Sequence, residues 1–131
     1  MKKTTLLNQP LSAVIAGLGH TDTLVIADAG LPIPPETQRI DLALRSGIPG
    51  FLETLETVLT EMAVEKAIIA DEMQDVSPQL FAALKERLGE IPIETTPHTQ
   101  FKEMTRDARA VVRTGEFTPY ANVILVSGVT F

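Results

Sequence analysis

Four short apolar runs limit what this chain can fold into: Leu24-Val25-Ile26-Ala27, Ala67-Ile68-Ile69-Ala70, Ala110-Val111-Val112-Arg113 and Val123-Ile124-Leu125-Val126. Each is aliphatic and bounded by polar or turn residues, and each is too short for a helix. They read as buried strands. Stretches of helical periodicity lie between them. Asn8 can cap a helix with Pro10 in its first turn and Leu11, Val14, Ile15 and Leu18 on one face, stopping near Gly17 and Gly19. From Phe51 to Met62, the residues Leu52, Leu55, Val58, Leu59 and Met62 form an apolar stripe, with Glu53, Glu56 and Glu61 on the solvated side. Ser77-Pro78 opens a helix carrying Leu80, Phe81, Leu84 and Leu88 and ending near Gly89.

Weaker elements complete the pattern. Leu31–Gln38 is a proline-rich loop and Arg39–Leu42 a short strand. Ile91–Thr95 reads as an edge strand, because Pro92 cannot donate to a ladder. Thr96–His98 is a loop, after which Thr99 caps a short helix through Met104. Strands alternating with helices predict an α/β fold: a three-layer α/β/α domain with a central, mostly parallel or mixed sheet. No linker, repeat or low-complexity tract divides residues 1–131, so one domain is expected.

Composition removes several functions. The net charge is −6 and no basic patch is visible, which disfavours a nucleic-acid partner. One Tyr and no Trp give no stacking platform. Without cysteine there are no disulfides or thiolate sites, and two histidines make a nitrogen-rich metal site a poor expectation. There is no Gly-x-Gly-x-x-Gly and no Gly-Lys-Ser/Thr, so no nucleotide cofactor is indicated. No apolar run is long enough to span a bilayer, and Met1-Lys2-Lys3-Thr4-Thr5 leads into no signal-peptide pattern. A cytoplasmic location is expected.

The polar residues at element ends carry the chemistry. Asp28 follows the first strand, and in open α/β sheets ligands bind outside the carboxyl ends of strands. The competing reading is a turn aspartate bonding its own backbone before Ala29-Gly30. His20 precedes the same strand; its competing reading is a helix C-terminal cation. His98 lies in a loop with Lys102 one helical turn beyond it, and the two can share a face. The segment Gly115-Glu116-Phe117-Thr118-Pro119-Tyr120-Ala121-Asn122 joins two apolar strands and is longer than a minimal turn. Histidines, a carboxylate, a phenol and an amide suit sugar hydroxyls, and proton transfer is the chemistry they support without a cofactor.

Distance bears on assembly. If residues 21–28 are largely extended they span on the order of 20 Å, at roughly 3.3 Å per residue. His20 and Asp28 of one chain then cannot both touch one sugar ring. Either Thr21-Asp22 doubles back or the site is built from two chains; the second is expected.

Gly19-His20-Thr21-Asp22, Asp28-Ala29-Gly30-Leu31-Pro32-Ile33-Pro34, Glu61-Met62, the 115–122 segment and the ending Gly128-Val129-Thr130-Phe131 together resemble the family of D-ribose pyranases and fucose mutarotases, over essentially the whole chain. The resemblance implies a cytoplasmic, cofactor-independent isomerase that interconverts the pyranose and furanose forms of D-ribose. It implies His20 as proton donor, with Asp28, His98, Tyr120 and Asn122 holding the sugar and Lys102 as an extra contact. It also implies a homodecamer of two pentameric rings with sites between neighbouring subunits. Two other readings stay open: a mutarotase for fucose or another aldose, and a non-catalytic sugar-binding subunit.

Overall fold

The computed structural model covers residues 1–131. Its centre is a six-stranded sheet in the order β2-β5-β1-β6-β3-β4. The strands are β1 (Thr23–Ala27), β2 (Gln38–Asp41), β3 (Val64–Ala70), β4 (Ile93–Thr96), β5 (Ala110–Arg113) and β6 (Val123–Ser127). β1 pairs parallel with β5, β5 with β2, and β3 with β4, whereas β6 runs antiparallel to both β1 and β3. The sheet is therefore mixed, with one reversed strand at its middle. Each of the four apolar runs lies within a strand, and β4 is an edge strand with Pro92 just before it.

The helices are α1 (Gln9–Ala16), α2 (Phe51–Leu59), α3 (Glu72–Val76), α4 (Pro78–Leu88) and α5 (His98–Met104). One face of the sheet carries α1, α2, α3 and α4. There Leu11, Phe51, Leu55, Val58, Met73 and Leu84 pack against Leu24, Ile26, Ala67, Ile69, Val112 and Leu125. The other face is covered by α5 and the loop after β1: Phe101, Leu31 and Ala108 close over Val25, Val111, Ile124 and Ile68. The three layers predicted from the alternation are present, but the second helical layer is only the short α5 and the 3₁₀ turn that follows it, Thr105–Asp107.

Local chemistry explains the boundaries. Asn8 caps α1 as expected, its Oδ1 accepting the Leu11 N–H at 2.9 Å. Leu18 and Met62 fall beyond the ends of α1 and α2, so both apolar stripes run on past the last helical turn. Thr99 is not a cap: α5 starts at His98, and Pro97 occupies the capping position. α3 was not expected, because its five residues bury only Met73 and show no period. Ser77 precedes α4, but its hydroxyl donates to the Pro119 carbonyl at 2.7 Å rather than capping the helix. That bond ties the 115–122 segment to the helical layer.

Candidate active site

Parallel strands β1, β3, β4 and β5 end on one edge of the sheet, and the reversed β6 begins there. This edge therefore collects Asp28 after β1, His98 after β4 and Tyr120 and Asn122 before β6. Asp28, His98, Lys102 and Tyr120 line a cavity of about 350 Å³, with Leu31 and Pro119 among its other walls. That volume is in the range of small-ligand sites. His98 and Lys102 share a face of α5, as their spacing predicted.

Asn122 is buried and does not line this cavity; it fixes Asp28. Its Nδ2 donates to Asp28 Oδ2 at 2.8 Å, and its Oδ1 accepts the Asp28 N–H at 2.9 Å. The other Asp28 oxygen accepts the Gly30 N–H at 2.9 Å, so the turn role also holds. A carboxylate held on both oxygens still has lone pairs for sugar hydroxyls.

His98 stands edge-on to Tyr120, with ring centroids 5.0 Å apart at 88°, and is stacked on Phe101 at 6.2 Å. Its backbone N–H donates to the Glu72 carboxylate at 3.0 Å. Its ring Nδ1 is buried and has no hydrogen-bond partner within the chain. Buried polar atoms are normally satisfied, so this nitrogen suits a ligand hydroxyl. Tyr120 adopts φ 61, a left-handed conformation uncommon for a non-glycine residue and frequent at functional sites.

Glu116 supports this edge, a role that its place in the 115–122 segment does not by itself reveal. Its Oε2 accepts the Phe51 N–H at the start of α2 at 3.1 Å, and its Oε1 accepts the Thr118 hydroxyl at 2.7 Å. Burial pushes this carboxyl up, but the bonds from Phe51, Thr118 and Phe117 outweigh it and hold it below the ordinary range. Beside it, a Cβ on Gly115 would collide with the backbone of Arg45 and Ile48, so only glycine fits.

His20 lies at the opposite edge, before β1. It lines a separate cavity of about 380 Å³ with Glu61, Met62, Ser127 and Gly128 among the walls. α1 ends at Ala16, which leaves His20 outside its last turn and removes the helix-dipole reading. Its Nε2 instead lies 2.8 Å from Glu65 Oε2. The five extended residues of β1 separate it from Asp28. One chain thus brings together Asp28, His98, Lys102, Tyr120 and, as their support, Asn122, but not His20. No group of three or more His, Cys, Asp and Glu side chains is placed to hold a metal ion.

The model of the RbsD/FucU transport protein family matches residues 1–130. The chain belongs to that family. A D-ribose pyranase from Chloroflexus aggregans is 60% identical over 131 residues, the full length of both chains. The structure of Bacillus subtilis RbsD complexed with D-ribose is 50% identical, covers both chains completely and superposes with a TM-score of 0.97. A fucose mutarotase from Streptococcus pneumoniae, solved with L-fucose, also covers both chains completely with a TM-score of 0.83; at 24% identity it shares the fold.

Proposed function

We propose that this chain is a D-ribose pyranase, a cofactor-independent isomerase interconverting the pyranose and furanose forms of D-ribose. The observation that carries this reading is the gathering of Asp28, His98, Lys102 and Tyr120 around one small cavity at the strand ends. The 50% identity to a protein solved with D-ribose, and the 60% identity to a named D-ribose pyranase, support ribose as the substrate.

In this reading Asp28, His98, Lys102 and Tyr120 hold the sugar, Asn122 holds Asp28, and His20 is the acid. His20 reaches the sugar from a neighbouring subunit, because within one chain it stands at the far edge of the sheet. The working unit is then a homo-oligomer; the family resemblance implies a decamer of two pentameric rings acting in the cytoplasm. No helix is long and apolar enough to cross a membrane.

Ring interconversion breaks only the hemiacetal C–O bond. A base removes the anomeric hydroxyl proton while the acid protonates the ring oxygen, and the ring opens to the aldehyde. Bond rotation presents a different hydroxyl to the carbonyl, which closes the other ring. Histidine suits proton exchange near neutrality, with an unperturbed pKa of about 6.5. General acid–base catalysis gives roughly 10²–10⁴-fold, about 3–5 kcal/mol, which suffices for a reaction that already proceeds in water.

NMR saturation transfer tests the reading. Irradiating a ribopyranose anomeric signal should transfer saturation to furanose signals only with protein present, and less well for fucose. His20→Ala should lower exchange by roughly 10² or more while ribose still binds. Ribose binding without transfer would replace this reading with a sugar-binding subunit, and faster transfer on fucose with a fucose mutarotase.

A further inference from the structure

We propose that Glu65 is a positioning residue for His20, holding the imidazole so that Nδ1 is the nitrogen that exchanges a proton with the sugar; this rests on His20 being the acid of the proposed isomerase. A carboxylate only accepts hydrogen bonds, so at 2.8 Å from Glu65 Oε2 the His20 Nε2 carries a proton. Nδ1 is then the nitrogen free to work. A base held in one tautomer by a third group is the usual arrangement for directed proton transfer.

The surroundings are built for this contact. The backbone on both sides of His20 is fixed: the Gly19 N–H donates to Asp22 Oδ2 at 2.8 Å, and the Thr21 N–H donates to the Ser127 carbonyl at 2.9 Å. Thr21 holds φ 68. Only the side-chain torsions of His20 remain to be set. Glu65 sits at the irregularity in the β3–β6 ladder, where the register shifts between Val64 and Lys66. Such bulges re-aim a side chain and recur beside active sites. Gly128 lies close beside it, where a Cβ would come within 3.2 Å of the Glu65 Cβ. Glu65 forms no ion pair except that with His20. Glu61, which lines the same cavity, points one oxygen toward Lys2 Nζ at 3.8 Å and leaves its buried Oε1 without a partner.

The proton balance is complete. The His20 imidazolium gives its Nδ1 proton to the ring oxygen, which takes the electron pair of the breaking C1–O bond. The anomeric hydroxyl loses its proton to a base as the carbonyl forms. His20 is left neutral, with Nε2–H still donated to Glu65. On reclosure a different hydroxyl attacks C1 and gives its proton to Nδ1, and the carbonyl oxygen recovers a proton from the base.

The experiment combines ¹⁵N-histidine NMR of the assembled protein with saturation-transfer kinetics on D-ribose for the parent, Glu65→Gln, Glu65→Ala and His20→Ala. In the parent, neutral His20 should be protonated at Nε2. Glu65→Ala should lower kcat about tenfold or more with KM unchanged, and let the Nδ1–H tautomer appear. Glu65→Gln, whose amide oxygen still accepts from Nε2–H, should keep kcat within about fivefold, the scale of an exposed ion pair's charge contribution. A parent protonated at Nδ1, an unchanged kcat in Glu65→Ala, or a Gln variant as slow as Ala would each overturn the assignment. Glu65→Ala at full rate beside an inactive His20→Ala would remove only Glu65; a fully active His20→Ala would remove the acid itself.

Discussion

Asn122 and Asp28 hold each other by two hydrogen bonds between residues 94 apart in the chain. One bond uses the Asp28 side chain and the other its backbone. Together they lock the end of β1 to the start of the antiparallel β6. Asn122 is 1% exposed, and its amide acts by holding Asp28. Asn122→Ala would leave the Asp28 N–H and Oδ2 without their partner. The expected cost is about 1–3 kcal/mol of stability, the scale of an unsatisfied buried group. Ribose affinity should fall with it, because Asp28 becomes free to turn. Urea unfolding and ribose titration check both. Unchanged affinity would mean that Asp28 needs no support to hold sugar.

His20 and Asp28 stand at opposite ends of β1, which gives a prediction about mixed assemblies. His20→Ala and Asp28→Asn should each be inactive alone. A site drawing its acid from one subunit and its carboxylate from the next can pair an intact His20 with an intact Asp28. After subunit exchange at equal concentrations, roughly a quarter of the sites should be intact if neighbours assort at random across a heterologous interface. Saturation transfer on the mixture measures the recovery. No recovery, with exchange confirmed by mass-tagged subunits, would place the two residues in one chain's site.

The parts of this structure that were legible in the sequence are those in which a period reports burial. β1, β3, β5 and β6 are dense aliphatic runs, and the α2 stripe of Leu55 and Val58 repeats as a helix should. α3 was not legible, because one buried Met73 in five residues makes no pattern. The candidate site residues stand out in the sequence because they are unusual types at element ends. Their supports were not. Glu116 reaches across 65 positions to Phe51, and Glu65 across 45 to His20. In sequence each is one acidic residue among 17, and only the fold brings it to its partner.

Glu116 makes the folded state depend on acid in a definite direction. Burial pushes its carboxyl up, but the Phe51 N–H, the Thr118 hydroxyl and N–H and the Phe117 N–H all favour the charged form, and its pKa lies below the ordinary value of 4.5. A helix N-terminus adds to the preference for charge there. Since the folded pKa is the lower one, the unfolded chain binds the proton first as pH falls. The stabilisation is fully present above about pH 4.5 and disappears as pH drops through the lower folded value. Glu116→Gln keeps the size but removes the charge. It should be less stable than the parent at pH 7 by about 1 kcal/mol, the scale of a lost helix cap. Below pH 4.5 the gap should narrow, because the parent is being neutralised as well. Urea unfolding of both proteins between pH 7 and the acid limit reads this directly. A gap that stays constant through the acid range would show that the charge on Glu116 contributes nothing and that its hydrogen bonds act through shape alone.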